Sequence, residues 1–233
     1  MIGDVFPLRD WSFETESVLK DLPLQDLEGL SRHMNDQQYA KGQIVFREGA
    51  YPTGIYYIRE GKVKKFKSSK DGKEQIIYVA GSGELIGYHA LLAEERYPDA
   101  AATLEDSSIS FIPKEDFLEV LQHSKVLSQR LLKALSHEFS VFVNSVASLA
   151  HQNVRERFAM QLILLREKFK HSVVESVNVE IGMSREDLAS LVGTTRENII
   201  RIIKEFKEQG ILETNGRKII VKDVNRLLLI CNY

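Results

Sequence analysis

Two arginines and a glutamate begin the helical part of GTTRENIIRIIKEF, which spans residues 193–206. An arginine side chain matches guanine O6 and N7 with two hydrogen bonds, and a glutamate accepts one from cytosine N4. Arg196, Glu197 and Arg201 therefore have the chemistry that reads G·C pairs in a major groove. The same spacing also fits a solvated helix face, because Glu197 and Arg201 would form a weak i,i+4 surface pair. Spacing alone leaves both interpretations open.

The elements that must position these side chains are predicted by the surrounding residues. Apolar residues at i, i+3, i+4 and i+7 predict a helix over 196–208 whose stripe needs a core: Ile199, Ile202, Ile203 and Phe206. A shorter helix, 184–192, is opened by Ser184 and ended by Gly193. After Gly210, ILETNGRKIIV predicts two strands around Asn215-Gly216 with a type I′ turn. This order is typical of a winged helix-turn-helix.

Residues 39–112 have the pattern of short β-strands. Runs rich in Ile, Val and Tyr alternate with glycine turns, which predicts a sandwich or barrel-like roll. Asp71-Gly72 predicts a two-residue hairpin turn. The lysines of KVKKFK, residues 62–67, are interpreted as a solvated strand edge rather than a nucleic-acid patch. Upstream, residues 15–36 predict two short helices broken at Pro23.

A long helix is predicted from about residue 125 to residue 151. Its apolar residues are spaced 3, 4, 3, 4, 3, which is an a/d heptad seam of Leu132, Leu135, Phe139, Phe142, Val146 and Leu149. Such a seam packs either on its own domain or on a partner helix. Its length and strict spacing favour the same helix of a second copy, so we expect a homodimer.

Charge and cysteine content limit the classes of protein. Residues 1–150 hold 17 Lys and Arg against 22 Asp and Glu, and residues 151–233 hold 14 against 11, so the net charges are −5 and +3. This modest asymmetry indicates a polyanionic partner for the C-terminal part. The single cysteine, Cys231, excludes an intrachain disulfide and a cysteine-ligated iron–sulfur cluster. We expect no signal peptide, no membrane span and a cytoplasmic location.

The residues from Ser184 to Val221, SREDLASLVGTTRENIIRIIKEFKEQGILETNGRKIIV, closely resemble the DNA-binding domain of the CRP/FNR family of bacterial transcription regulators. KGQIVFREG, YYIREGKVKKF, GKEQIIYV and GSGELIG resemble the family's β-roll, and the heptad helix resembles its dimerisation helix. The resemblance implies an α+β chain: a jelly-roll-like double-stranded β-roll with flanking helices over 1–123, a dimerisation helix over 124–151, and a winged helix-turn-helix over 152–233.

The same resemblance implies a function and a set of residues. The chain would be a regulator rather than an enzyme, a homodimer that reads double-stranded DNA at a palindromic TGTGA-like operator. Arg196, Glu197 and Arg201 would contact bases, and the residues on phosphate would be Ser184, Arg185 and Thr195. By analogy, exposed residues of the β-roll and of the connector 171–180 would contact RNA polymerase.

The sensor segment, ELIGYHALLAEERYPDAAATLED, departs from members that bind cyclic AMP. Those members hold the ribose and phosphate with a glutamate and an Arg-Ser or Arg-Thr pair; here those positions are Tyr88, and Pro98 with Asp99. An aspartate repels phosphate, so the segment argues against cyclic AMP. A set of residues is predicted to line or fill the pocket: Tyr88, His89, Tyr97, Asp99 and Phe142.

Other effectors and functions stay open. The family's iron–sulfur sensors need cysteines that this chain lacks, and His89 is the candidate haem ligand, with an ordinary hydrogen-bonded or exposed histidine as the favoured alternative. The chain is interpreted first as an effector-responsive regulator, second as an effector-independent one, and third as a non-DNA β-roll module. The histidines show no H-x-H or H-E-x-x-H spacing, which counts against a metal enzyme.

Overall fold

The computed structural model of the chain describes residues 6–13, 15–170 and 179–233. It divides into two compact units. One unit is Phe13–Ser140, and the other joins Met1–Ser12 to Val141–Tyr233. We call them the β-roll unit and the C-terminal unit, and each is described by itself.

The β-roll unit contains two four-stranded antiparallel sheets. The strands are β1 (Asn35–Tyr39), β2 (Ile44–Phe46), β3 (Gly54–Glu60), β4 (Val63–Ser68), β5 (Glu74–Ala80), β6 (Leu85–Ile86), β7 (Ala100–Thr103) and β8 (Ser107–Pro113). Their orders are β1-β8-β3-β6 and β2-β7-β4-β5. Both sheets contribute to one buried cluster that includes Phe46, Ile58, Val63 and Ile109. The predicted jelly-roll-like architecture is confirmed.

Helices cover the other face of the sheet that contains β3 and β8. They are α1 (Glu16–Leu19), α2 (Leu24–Ser31), α3 (Tyr88–Leu92), α4 (Lys114–His123) and the first half of α5 (Lys125–His151). A second buried cluster joins Ile55 and Ile112 of the strands to Leu91, Phe117 and Leu131 of the helices. The break between α1 and α2 falls as predicted, since Pro23 is the residue that caps α2. Pro has no amide hydrogen to donate and tolerates the start of a helix.

The C-terminal unit contains the predicted winged helix-turn-helix. A 3₁₀ turn (Leu8–Trp11) precedes it in the chain, and its elements are α6 (Val154–Lys168), β9 (Glu180–Ile181), α7 (Arg185–Val192), α8 (Arg196–Glu208), β10 (Leu212–Asn215), β11 (Lys218–Val221) and α9 (Val224–Ile230). The apolar stripe of α8 is fully buried, and the Phe206 ring stacks on Phe158 with 6.0 Å between centroids. The bounds predicted for α8 are confirmed. The third strand, β9, pairs with β11 and was not predicted.

Both hairpin turns differ in detail from the predictions. In the C-terminal hairpin Asn215 pairs with Lys218, so Gly216 and Arg217 form the turn. Gly216 has φ 57°, whereas Asn215 is not among the described residues of positive φ. Glycine at the first central position belongs to a type II′ turn, so the type I′ prediction is wrong. The β4–β5 turn is longer than predicted, because Ser69 N donates to Lys73 O (2.9 Å) and leaves a three-residue loop with Gly72 at φ 75°.

The interpretation of KVKKFK as a solvated edge is also wrong. Strand β4 lies inside its sheet, paired with β5 on one side and β7 on the other. Lys62 and Lys65 are buried there, and each finds a carboxylate from a later part of the chain: Lys62 Nζ lies 2.8 Å from Glu105, and Lys65 Nζ lies 3.0 Å from Asp99. A buried ammonium requires such a partner because desolvation is costly.

The turn between α7 and α8 depends on a glycine. Gly193 caps α7 in the left-handed region, with φ 72° and ψ 54°. Gly193→Ala is expected to destabilise the C-terminal unit by about 1–2 kcal/mol, because a Cβ opposes this conformation. Thermal unfolding measures the loss. Gly182→Ala is the matched control, since its Cβ would lie 3.8 Å from Phe169 in ordinary contact. Equal melting temperatures for the two variants would contradict the expectation.

Candidate nucleic-acid interface and β-roll pocket

The N-terminus of α8 is fixed by local hydrogen bonds. Thr195 is the N-cap, and its Oγ1 accepts from Asn198 N at 3.3 Å. Asn198 Nδ2 in turn donates to Thr194 Oγ1 at 3.2 Å. These bonds satisfy a helix-end donor and tie the first turn of α8 to the preceding turn. The side chains of that first turn therefore project from a defined backbone.

The three predicted base-reading side chains all lie on the outer face of α8. Arg196, Glu197 and Arg201 are exposed, opposite the buried stripe. Arg196 Nε lies 2.5 Å from Glu186 Oε1, with both side chains more than half exposed, so exchanging this pair for a DNA contact costs little. No ion pair joins Glu197 to Arg201 within the described residues. The alternative of a surface pair between them is not realised, and both groups are available to a ligand.

The predicted phosphate-contacting residues are placed at helix ends. Thr195 is exposed and keeps its hydroxyl hydrogen for an outside acceptor. Arg185 begins α7, and its Nη1 donates to Arg217 O of the hairpin at 3.0 Å; burial lowers the pKa of its guanidinium. Ser184 caps α7 and donates to Asp187 Oδ2 at 2.7 Å. A phosphate contact from Ser184 would have to replace that bond.

The predicted dimer seam on α5 is largely exposed. Leu132, Phe139 and Val146 are 67%, 70% and 66% exposed, and Phe142 and Leu149 are 39% and 53% exposed. Leu135 differs, because it is partly buried against the helical core of the β-roll unit. A row of large apolar side chains of this kind marks an interaction surface.

Three of the predicted pocket residues of the β-roll unit make hydrogen bonds or ion pairs with other buried groups of that unit. Tyr88 is buried and donates its hydroxyl hydrogen to Glu138 of α5. Tyr97 donates to Gly54 O at 3.3 Å. Asp99 Oδ2 lies 3.0 Å from Lys65 Nζ, and both side chains are less than a tenth exposed. The fifth predicted residue, Phe142, belongs to the C-terminal unit.

Arg96 does not supply a cation to this region. It is exposed, donates to Gly49 O at 2.8 Å, and lies 3.9 Å over the ring of Tyr51. The buried cation is Lys65, which the sequence interpretation placed at a surface. The signal that could have indicated the pair is the aspartate in the apolar run YPDAAA, since a buried carboxylate needs a cation.

The half-buried His89 is neutral at ordinary pH. Burial and the nearby Lys65 charge lower its pKa to about 3. Because the unfolded chain binds this proton near pH 6.5, folding should weaken as pH falls from about 6.5 towards 3, by up to about tenfold per pH unit in the unfolding equilibrium. Glu138 acts in the opposite sense, since burial raises its pKa. We expect His89→Gln to unfold with a shallower acid dependence than wild type in denaturant titrations at several pH values; parallel pH profiles would contradict this.

Two family profiles match the two units. The profile described as "Cyclic nucleotide-binding domain" covers residues 36–124, and the "Crp-like helix-turn-helix domain" covers residues 156–230. The curated and structural relatives whose matches cover both parts are regulatory proteins, and one solved structure among them is described as a transcriptional regulator of the CRP/FNR family. The chain belongs to the CRP/FNR family. It is therefore a DNA-binding transcription regulator, and the alternative of a non-DNA module is set aside.

Similar CRP/FNR proteins include an "Anaerobic regulatory protein" of Haemophilus influenzae, 27% identical over 188 residues that are 81% of this chain and 73% of the relative. A "CRP-like cAMP-activated global transcriptional regulator" of Mycobacterium tuberculosis is 24% identical over 198 residues, 85% of this chain and 88% of that protein. The structure of FixK2 from Bradyrhizobium japonicum has a TM-score of 0.74 at 20% identity, covering 84% of this chain and 96% of that one. The structure of FixK2 shares the fold, and the names of the other two relatives refer to different signals, anaerobic conditions and cAMP.

No group of three or more His, Cys, Asp or Glu in residues 6–13, 15–170 and 179–233 is arranged to hold a metal ion. Burial raises the pKa of the Cys231 thiol to about 12, so it stays protonated. No helix in the described ranges has the length and hydropathy needed to cross a membrane.

Proposed function

We propose that the chain acts as a homodimer that reads a palindromic, TGTGA-like operator. Arg201 and Glu197 contact the two bases of G·C pairs, and Arg196 contacts a neighbouring guanine. Ser184, Arg185 and Thr195 position the protein on phosphate. The layout follows the sequence prediction: a sensor over 1–123, a dimerisation helix over 124–151 and a DNA-binding domain over 152–233.

The observation that carries this proposal is the exposure of particular side chains on the outer face of α8. Three side chains of the G·C-reading types are exposed on the first two turns, while the opposite face is buried in the core. The N-terminus of that helix is held by the Thr195 cap. A reading helix needs both features, because base contacts demand free side chains on a backbone that does not move.

A fluorescence-anisotropy titration tests the proposal. The probes are a palindromic TGTGA-like duplex and a scrambled duplex of the same composition, at about 150 mM salt because phosphate contacts make affinity salt-dependent. Tighter binding to the palindrome, by at least about tenfold, is the expected result. Equal affinity for both duplexes would count against this operator.

We propose further that the effector is not cyclic AMP, and that an effector-independent regulator is the second candidate. The support is the closed polar arrangement of the β-roll: Asp99 pairs with Lys65, and Tyr88 bonds to Glu138. A nucleotide phosphate would meet the Asp99 carboxylate where it needs a cation.

Cyclic AMP at about 1 mM is expected to move the melting temperature by less than about 1 °C, because ligand binding to the native state alone would stabilise it. A micromolar site would raise it by several degrees at that concentration. Cyclic GMP at the same concentration is the matched control for general nucleotide effects. A shift given by cyclic AMP alone would contradict the proposal.

We also propose that the protein does not bind haem through His89. Neutral His89 has the lone pair that iron requires, but the groups beside it include the charged Lys65 and the Tyr88 ring at 5.9 Å. These are not the apolar walls that a porphyrin packs against. An absorbance spectrum of the purified protein tests this, and a Soret band would contradict it.

Two further expectations remain proposals. Contact with RNA polymerase through the exposed β-roll surface rests on analogy. Residues 171–178 of the connector that was also predicted for it lie outside the described part of the chain. We also propose a cytoplasmic location, where DNA is accessible.

A further inference from the structure

The β-roll unit buries an ion pair between strand β4 and the residue that immediately precedes β7. Lys65 is on β4 and pairs across the ladder with Ala101, while Asp99 immediately precedes β7. The Lys65 and Asp99 side chains are 8% and 6% exposed. The backbone before Asp99 is held by Lys67, whose Nζ donates to Pro98 O at 2.9 Å. These contacts therefore place the Asp99 carboxylate next to the buried Lys65 ammonium.

The Asp99 carboxylate has few interactions apart from the ion pair with Lys65. Its Oδ1 is buried and has no hydrogen-bond partner within the described residues. A structural carboxylate in a core normally satisfies both oxygens. The bonded oxygen of Asp99 is thus Oδ2, which forms the ion pair with Lys65.

We infer that Lys65 forms an anion-binding subsite and that Asp99 is its resident anion. The matched family profile for residues 36–124 describes a domain for cyclic nucleotides, which are anionic ligands. In this chain the exposed Arg96 faces solvent, and Lys65 is already neutralised from within. The wild-type subsite therefore takes no anion from solution. This inference goes beyond the proposed DNA reading and does not depend on it.

The test removes the resident anion. Asp99→Asn keeps the shape of the side chain but removes the carboxylate that pairs with Lys65. Melting temperatures are measured for wild type, Asp99→Asn and the double variant Lys65→Met/Asp99→Asn, in about 50 mM phosphate and in sodium chloride of equal ionic strength. Phosphate stabilises many proteins by exclusion from their surface, so wild type and the double variant give that background.

The expected result is an extra rise of about 4 °C in phosphate for Asp99→Asn alone, which corresponds to a dissociation constant about tenfold below the phosphate concentration. The double variant should respond like wild type. An Asp99→Asn response equal to that of wild type would overturn the inference. If this variant does not fold in chloride, its refolding yield becomes the readout, and phosphate must raise that yield more than chloride does.

A second observation concerns the outer face of α8. Ile200 is 43% exposed, although it lies on the helix whose other isoleucines are buried. It follows Arg196 by one turn and directly precedes Arg201. A single exposed apolar residue is ordinary on a protein surface. Ile200 lies among the three proposed base-reading side chains, however, and an apolar side chain in the major groove can contact the thymine methyl group.

We propose that Ile200 reads a thymine methyl in each half-site. This proposal rests on the proposed operator reading. Replacing each thymine of the palindromic duplex by uracil removes only the methyl group. At the position that Ile200 contacts, wild type should lose about fourfold in affinity for each half-site that is substituted, the value of burying one carbon, and Ile200→Ala should lose nothing further.

A matched control separates this effect from general loss of apolar surface. Leu229 is 72% exposed on α9 of the same unit, and Leu229→Ala should keep the wild-type response to uracil. Selective binding of the palindrome without any uracil effect, or with the same effect in Ile200→Ala, would overturn the Ile200 proposal alone. Equal binding of palindrome and scrambled duplex would instead overturn the operator reading on which it rests.

Discussion

Replacing Arg201 by alanine is expected to weaken operator binding by about 1–3 kcal/mol per half-site, or about 5- to 150-fold. The reason is that Arg201 is exposed on the reading face, and a guanidinium makes two hydrogen bonds to one guanine. Discrimination at that base pair should relax at the same time. Anisotropy titrations against the palindrome and against duplexes with each base at that position measure both effects.

Two control variants separate base reading from charge. Arg201→Lys keeps the charge but loses the planar fork, so affinity for scrambled DNA and the salt dependence should persist while discrimination falls. Lys204→Ala removes one positive charge farther along α8, where the side chain is 79% exposed, and should weaken all sequences slightly and equally. An Arg201→Ala variant that bound the palindrome as tightly as wild type would refute its assigned role.

Placing a charge on the α5 seam is expected to separate the dimer. Phe139 is the most exposed of the predicted interface residues, at 70%, and lies at an a position of the heptad. Phe139→Glu would bury two like charges between paired helices. Since one protomer then binds one half-site, we expect the affinity for the full palindrome to fall by about 10²-fold or more through loss of linked binding. Sedimentation and operator titration measure the two consequences.

The matched control lies on the same helix. Ser140 is exposed and occupies the b position next to Phe139, so Ser140→Glu adds the same charge outside the seam. It should leave both mass and affinity unchanged. A Phe139→Glu protein that remained dimeric, or a monomer with full affinity, would contradict the proposed role of α5.

Helices α5 and α8 were predictable because each carries a long apolar period, whereas the short helices α3 and α9 were not predicted. The stripe from Ile199 to Phe206 defines α8 within its observed bounds, and the heptad spacing defines α5. Caps such as Thr195 and Gly193 are local, so the sequence alone marks them. The base-reading set follows from α8, since a helical period fixes which side chains oppose the stripe.

The charged groups of the β-roll were not predictable in the same way. Alternation along KVKKFK tells which residues share a face, but not whether a strand is central or at an edge. Lys62 and Lys65 are buried because carboxylates far along the chain, Glu105 and Asp99, reach them. Only the sheet order β2-β7-β4-β5 reveals that encounter. The turn of the C-terminal hairpin also shifted by one residue, because pairing of Asn215 with Lys218 set its register.

The measurement that tests operator reading most directly is an unbiased selection from a library of random duplexes, using the purified protein without added ligand at about 150 mM salt. The expected outcome is an inverted repeat of TGTGA-like half-sites whose centres lie about one helical turn apart, as a symmetric dimer requires. A selection that returned no enriched sequence, or one isolated half-site without its inverted copy, would contradict the proposed dimeric reading.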